Sequence, residues 1–378
     1  MALPGVASLQ ESAGRAGEIV AMKPIAAIFV WSLPRGMIAA AIGFLSCVTP
    51  GIFAQALPNP YRAVDGWAKL PASRPMGAVG DLKIDPDGQH LWVIVRCTAT
   101  EPTSFGSECL DSNLDPILQF DLQGNLVKSF GGGLFIWPHG LEVDREGNVW
   151  VTDAVAPKKT PPGKRGQQVV KFSPAGKVLL TLGTPGVAGS GPDHFDSPSD
   201  VAVADNGDIF VADGHSADAS NNRIVKFAKD GRFLREWGKT GYAPGEFRMP
   251  HSIAIDLDGR VFVADRFNNR IQIFDQEGKF LAQWTQFGRP SGITFDDKGQ
   301  IFVPDSESDN VQNPGWEMGI RIGEARSGWV HSFILYPWGD PRVVEGVGAE
   351  FVAVDHEGNL YAGEPRARRI QKYVRVRP

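Results

Sequence analysis

Two histidines and a glutamate occupy matching places in a repeated unit. His139, His251 and Glu350 each lie eight residues before a glycine that closes a tight turn, at Gly147, Gly259 and Gly358. The same turn recurs at Gly88, Gly207 and Gly299, where the residues eight places earlier are Gly80, Ser199 and Ser291. Metal-capable side chains thus alternate with small ones through six copies. Two imidazoles and one carboxylate form the donor set of open catalytic zinc sites and of non-haem iron(II) sites. The expectation is a divalent ion, zinc or else iron, held by His139, His251 and Glu350. A lone histidine leading into a strand is usually a hydrogen-bonded structural residue, and it is the alternation that favours a metal. His90, His331 and His356 fall away from this position and read as surface or blade residues, while His194 falls in a loop and says little.

The elements that must position these side chains are short strands. Before each turn glycine runs an alternating apolar stretch, as in Leu141-Glu-Val143 and Ile253-Ala-Ile255. After it comes a second stretch with a central aromatic: Trp92, Trp150, Phe210, Phe262, Phe302 and Tyr361. Period-2 runs joined by a glycine turn are hairpins, because glycine supplies the positive φ the reversal needs. The second strand ends on an acid at Asp153, Asp213, Asp265, Asp305 and Glu364, and third and fourth strands follow, as in 222–227 and 233–237. Four antiparallel strands repeated radially specify a propeller blade. The fold class is all-β, a six-bladed propeller, and the three metal-capable side chains then converge on its channel from alternate blades. The sixth repeat ends after its third strand near Tyr373, so Tyr61-Arg-Ala-Val-Asp-Gly-Trp67 is expected to supply the missing fourth strand and close the ring.

With 38 Lys and Arg against 43 Asp and Glu and no long basic run, nucleic acid is excluded as a partner. Lys23 and Arg35 precede the apolar run 36–45, and Ala54-Gln-Ala56 follows it, which is the grammar of a secretory signal peptide. Residues 1–56 are read as that leader, with an upstream start artefact before Met22, and 57–378 as one exported propeller domain, periplasmic or secreted. The apolar run is short of a membrane span, and Cys47 within it is a poor lipidation signal. Cys97 and Cys109 remain after cleavage as free thiols or as a disulfide, which an oxidising compartment permits.

The repeat Φ-x-Φ-D-x-x-G-x-Φ-Φ-V-x-D, with a following N-x-R-I, resembles the NHL repeat from about Gly77 to Tyr373. More narrowly, three motif sets resemble bacterial relatives of peptidyl-α-hydroxyglycine α-amidating lyase. They are Trp137-Pro-His139-Gly-Leu-Glu-Val-Asp with Gly147 to Asp153, Asp213-Gly with Asn222-Arg-Ile-Val, and Met249-Pro-His251-Ser with Val263-Ala-Asp-Arg266. The resemblance implies zinc in the channel, with His139 and His251 in two of three histidine places and Glu350 in the third. It also implies that Arg96 and Arg266 surround an anionic substrate and that His215 stands where the family has a catalytic tyrosine. Phe351 replaces an aspartate that helps to hold a structural calcium in the family, which puts that calcium in doubt.

Three functions compete on this reading. The first is a lyase that splits an α-hydroxyglycine-like substrate into an amide and glyoxylate, with His215 as base and Arg96 and Arg266 orienting the carboxylate. The second is a metal-dependent hydrolase of a lactone or ester in the same channel, since His2Glu zinc commonly activates water. The third is a non-catalytic propeller that binds a peptide, glycan or protein through the loops 97–115, 157–167 and 310–316.

Overall fold

Every turn glycine of the repeat adopts the left-handed conformation, with φ between +67° and +87°, and each donates its N–H to the carbonyl three residues earlier. These turns set the frame of the computed structural model, which describes residues 56–97, 106–160, 163, 165–336 and 348–376. The chain divides into two units, Met1–Ala54 and Gln55–Pro378, and only the second contains described residues. The expected leader, with Lys23, Arg35 and Cys47, lies outside them except for Ala56. Among the described residues no helix is long and apolar enough to cross a membrane.

The regular structure described is six antiparallel sheets of four strands each, a six-bladed propeller. Five sheets run in chain order, with first strands Val79–Ile84, Pro138–Val143, Pro198–Val203, Pro250–Ile255 and Thr294–Phe295. The sixth is discontinuous: Phe351–Val354, Leu360–Glu364 and Arg369–Arg375 are completed by Tyr61–Val64 from the other end of the chain. Tyr61 pairs with Arg375 and Val64 with Lys372, as the truncated sixth repeat requires. Just beyond, Trp67 packs against Phe120 of the first blade and Tyr361 of the sixth, at centroid distances of 5.7 and 4.9 Å.

Burial is distributed over the junctions between blades rather than gathered at one centre. Six apolar clusters each draw on two neighbouring sheets; one joins Trp92, Ile94 and Ile117 to Leu141, Val149 and Val151. The six aromatics of the second strands are all at most 1% exposed. Where that aromatic carries a polar atom, the aspartate of its own turn receives it: Trp92 Nε1 donates to Asp85, Trp150 Nε1 to Asp144 and the Tyr361 hydroxyl to Asp355. A buried indole or phenol needs such a partner.

The acid at the end of the second strand fastens the chain that enters the blade. Asp153 accepts from the backbone N–H groups of Ile136 and Trp137 at 2.9 and 2.8 Å. Asp213 accepts from Asp196 N, Asp265 from Arg248 N and Asp305 from Arg289 N. In blades three and four the third strand adds an arginine, Arg223 Nε to Asp213 at 2.9 Å and Arg270 Nε to Asp265 at 2.7 Å. Each fastened N–H lies two or three residues before the ring position, so this clasp fixes His139, Ser199, His251 and Ser291 along the channel.

Two outcomes follow. Deleting residues 57–70 removes the closing strand and Trp67; truncating a buried Trp alone costs about 3–5 kcal/mol. At roughly 2–4 °C per kcal/mol, thermal denaturation of the deletion should occur roughly 10 °C or more below the full chain. A deletion that melts with the full chain would show that the ring does not depend on this strand. The second concerns Asp153, whose third-strand partner is Gln168 rather than an arginine. Burial pushes its carboxyl from 3.8 up to about 6, against backbone hydrogen bonds from Trp137, Ile136 and Gly166 and the charge of Arg165. The folded state then holds this proton more tightly than the unfolded chain between about pH 4 and pH 6, so its contribution to stability rises as pH falls through that window. Asp153→Asn should therefore shift less in Tm than the parent between about pH 7 and pH 5, and parallel curves would refute the assignment.

Candidate metal and anion site

Proline begins the first strand in blades two, three and four, at Pro138, Pro198 and Pro250, and in each the ring residue follows it directly. Because proline has no N–H to leave unpaired, the strand can begin there at the channel wall. In blade four the preceding Met249 takes φ +61°, held by Asn222 Oδ1, which accepts its N–H at 3.0 Å. His139 and His251, both fully buried, enter the channel from these starts.

Each of these imidazoles is anchored by the next blade. His139 Nδ1 donates to the carbonyl of Ser199 at 2.8 Å and His251 Nδ1 to the carbonyl of Ser291 at 2.7 Å. A carbonyl can only accept, so Nδ1 carries the proton and Nε2 presents a lone pair, the tautomer that metal-ligating histidines use. The serine positions of the alternating ring therefore orient the histidines through their backbone. Among the described residues, Nε2 of His139, of His251 and of His215 is buried without a hydrogen-bond partner.

His215, Glu350, Arg96 and Arg266 surround that pair. The His215 ring centroid lies 4.4 Å from that of His139 and 5.1 Å from that of His251, with Trp137 edge-on at 4.8 Å. Glu350 Oε1 lies 3.3 Å from His251 Nε2, 3.8 Å from His139 Nε2 and 3.6 Å from Arg266 Nη1, while its Oε2 lies 3.4 Å from Arg96 Nη2. Arg96 and Arg266 are 2% and 5% exposed. Arg96 rests over the Trp137 ring at 4.6 Å. Opposite, Arg266 pairs with Glu307, which also meets Arg289 at 3.3 Å. Phe351 stacks on His251 at 5.5 Å and offers no oxygen to a hard cation such as calcium.

Burial, followed by the neighbouring imidazoles or arginines, holds His139, His215 and His251 below the ordinary imidazole range. Neutral rings are the form that binds a metal. Burial alone would raise Glu350, but the buried Arg96 guanidinium beside it outweighs that and keeps the carboxylate ionised, well below its usual value. His139, His215 and His251 offer ligand nitrogens within 4.8 Å of one another, so they could hold an ion; Glu350 borders the same space.

The six side chains singled out from the sequence thus meet at one pocket. Cys97 and Cys109 are joined as a disulfide, Cα atoms 4.8 Å apart, in the loop that begins beside Arg96. The remaining four histidines lie apart, His90 against Asp87, His194 against Asp193, His331 beside Ser332 and His356 near Asp297. Sequence reasoning missed Glu307, Trp137 and the two serine carbonyls. Glu307 could have been found: it stands two residues past Asp305, as His215 stands two past Asp213.

Fold and repeat together define the class: this chain is an NHL-repeat six-bladed β-propeller, the NHL repeat matching residues 195–227 and 247–274. Within that class it resembles the peptidyl-α-hydroxyglycine α-amidating lyases. It is 39% identical over 149 residues to the peptidyl-glycine alpha-amidating monooxygenase of Mus musculus, covering 37% of this chain and 14% of that protein. It is 33% identical over 193 residues to the probable peptidyl-alpha-hydroxyglycine alpha-amidating lyase of Caenorhabditis elegans, covering 48% of this chain and 51% of that one. The matches thus span about half or less of these relatives' own length. A solved structure titled as a putative gluconolactonase shares the fold, with a TM-score of 0.52 and 12% identity over 84% of this chain and 93% of that one.

Proposed function

We propose that this chain is a metal-dependent lyase that cleaves the C–N bond of an α-hydroxyglycine-like small molecule or peptide, giving an amide and glyoxylate. The observation that carries this reading is the set of three buried imidazole Nε2 atoms without hydrogen-bond partners, bordered by one carboxylate and two buried guanidiniums. Leaving a buried polar atom unsatisfied costs about 1–3 kcal/mol, which an ion accepting their lone pairs would offset. Imidazole-rich donors suit zinc or iron(II) better than a hard cation. His139 and His251 would hold the ion, with a third donor from Glu350 or His215. Such an ion supplies Lewis acidity that makes a substrate hydroxyl more acidic.

The protein's own groups account for the rest. Among the described residues Arg96 Nε and Arg266 Nη1 make no hydrogen bond, which leaves charge-assisted donors for a substrate carboxylate. Whichever of His215 and Glu350 is not a ligand takes the hydroxyl proton. The oxygen lone pair becomes the carbonyl of glyoxylate, and the electron pair of the broken C–N bond stays on nitrogen, which recovers the proton as the amide. Trp137 and Phe351 line the pocket with apolar surface. Identity to proteins named as amidating lyases supports this reaction, and the disulfide supports export to an oxidising compartment.

The test is glyoxylate release from an N-acyl α-hydroxyglycine peptide by purified, metal-analysed protein, with chelation and re-addition of zinc or iron(II). Release that falls on chelation and returns with metal is expected, and absence of glyoxylate from the metal-loaded protein sinks the proposal. Hydrolysis of a lactone without glyoxylate would transfer the site to the hydrolase reading. Losing one charged hydrogen bond costs about 1.5–3 kcal/mol, so Arg96→Ala and Arg266→Ala should each lower kcat/KM by roughly 10- to 150-fold. The loss should be smaller for a substrate whose carboxylate is esterified.

A further inference from the structure

We infer that His215 supplies the third metal-binding nitrogen and that Glu350 stands outside the ligand set. This rests on the metal-dependent reading above and decides a point that reading leaves between two residues. His215 lies off the alternating ring: it follows the second strand of blade three, and the chain reaches the channel there through Gly214. That glycine has φ +152°, and a Cβ on it would press within 3 Å of the Asn222 backbone and side chain. Only glycine makes this turn without displacing Asn222, and its product is an imidazole aimed at the two ring histidines.

Distance admits either residue, since Glu350 Oε1 lies 3.3 and 3.8 Å from the ring histidines, and two further facts favour His215. The ligand nitrogens of His139, His215 and His251 lie within 4.8 Å of one another, so small side-chain movements would bring them to about 2.0–2.1 Å from one ion. The Nε2 atoms of all three are buried and without a hydrogen-bond partner. Glu350, by contrast, already faces two guanidiniums, Arg96 from one oxygen and Arg266 from the other. As a ligand, Glu350 would lend the ion the negative charge that now balances Arg96 and, together with Glu307, Arg266. His215 gives up nothing. Three neutral imidazoles also leave the ion its full charge, which a carboxylate ligand would reduce. Glu350 then balances the arginines and becomes the carboxylate beside the ion.

Zinc binding by the full chain, stripped of metal and titrated calorimetrically, tests this on the parent, His139→Asn, His215→Asn and Glu350→Gln, each checked for fold by circular dichroism. Second-sphere partners typically change metal affinity by about 10- to 100-fold. His215→Asn should match His139→Asn in losing more than roughly a hundredfold, with Glu350→Gln losing about tenfold or less. The reverse ranking, or equal large losses in both, overturns the assignment. If the parent binds no zinc, or His139→Asn binds as the parent does, the metal reading itself fails and takes this inference with it. X-ray absorption on the zinc-loaded parent requires no variant: three imidazoles are expected, and two imidazoles with a carboxylate would refute the proposal.

Discussion

A buried carboxylate at the end of the second strand holds each of four blades to the chain that enters it. Asp153, Asp213, Asp265 and Asp305 are all fully buried, and each accepts a backbone N–H from the segment leading to its own first strand. Burying a carboxylate is costly without hydrogen bonds, so the geometry around each acid is tightly constrained. That constraint reaches the channel because the fastened residue lies so close in sequence to the ring position. Movement of Ile136 or Arg248 would displace His139 or His251. The site inherits its rigidity from an interaction that belongs to the fold, which is how a scaffold holds a first shell of ligands in place.

The ring shows a division of labour between blades. Even blades contribute side chains, His139, His251 and Glu350; two odd blades contribute backbone, the carbonyls of Ser199 and Ser291 that orient the histidines. The serine hydroxyls are themselves engaged, Ser199 with Pro250 O and Ser291 with Ser306.

This explains which parts were legible in the sequence. Turn glycines, alternating strands and terminal acids are local consequences of strand geometry, so six repeats and even the borrowed strand Tyr61–Val64 could be read directly. Ring positions were equally legible, because they keep a constant distance from the turn glycine. Glu307 was passed over although it holds the place of His215, and the loop after Arg96 could not be read, because loops after the second strand differ in length and follow no period. Resemblance suggested His215 as a base, while the spatial grouping with two unsatisfied imidazoles emerges only when blades two, three and four are brought together. Likewise nothing in the sequence announces that Glu350 faces two arginines, since Arg96 and Arg266 arrive from blades one and four.

Charge balance gives those arginines their meaning. Arg96, Arg266 and Arg289 bring three positive charges to the pocket wall, and Glu350 and Glu307 bring two negative ones. Glu307 spans Arg266 and Arg289, whereas Glu350 reaches across from Arg96 to Arg266. A divalent ion at the histidines would make this wall strongly electropositive, a field that would favour an anionic ligand. Without Glu350 the excess would be larger still, and the two arginines would repel one another across the histidine pair. The carboxylate therefore has a role of its own in the wall: it lets two buried guanidiniums lie beside the histidine pair, each within 3.6 Å of one of its oxygens.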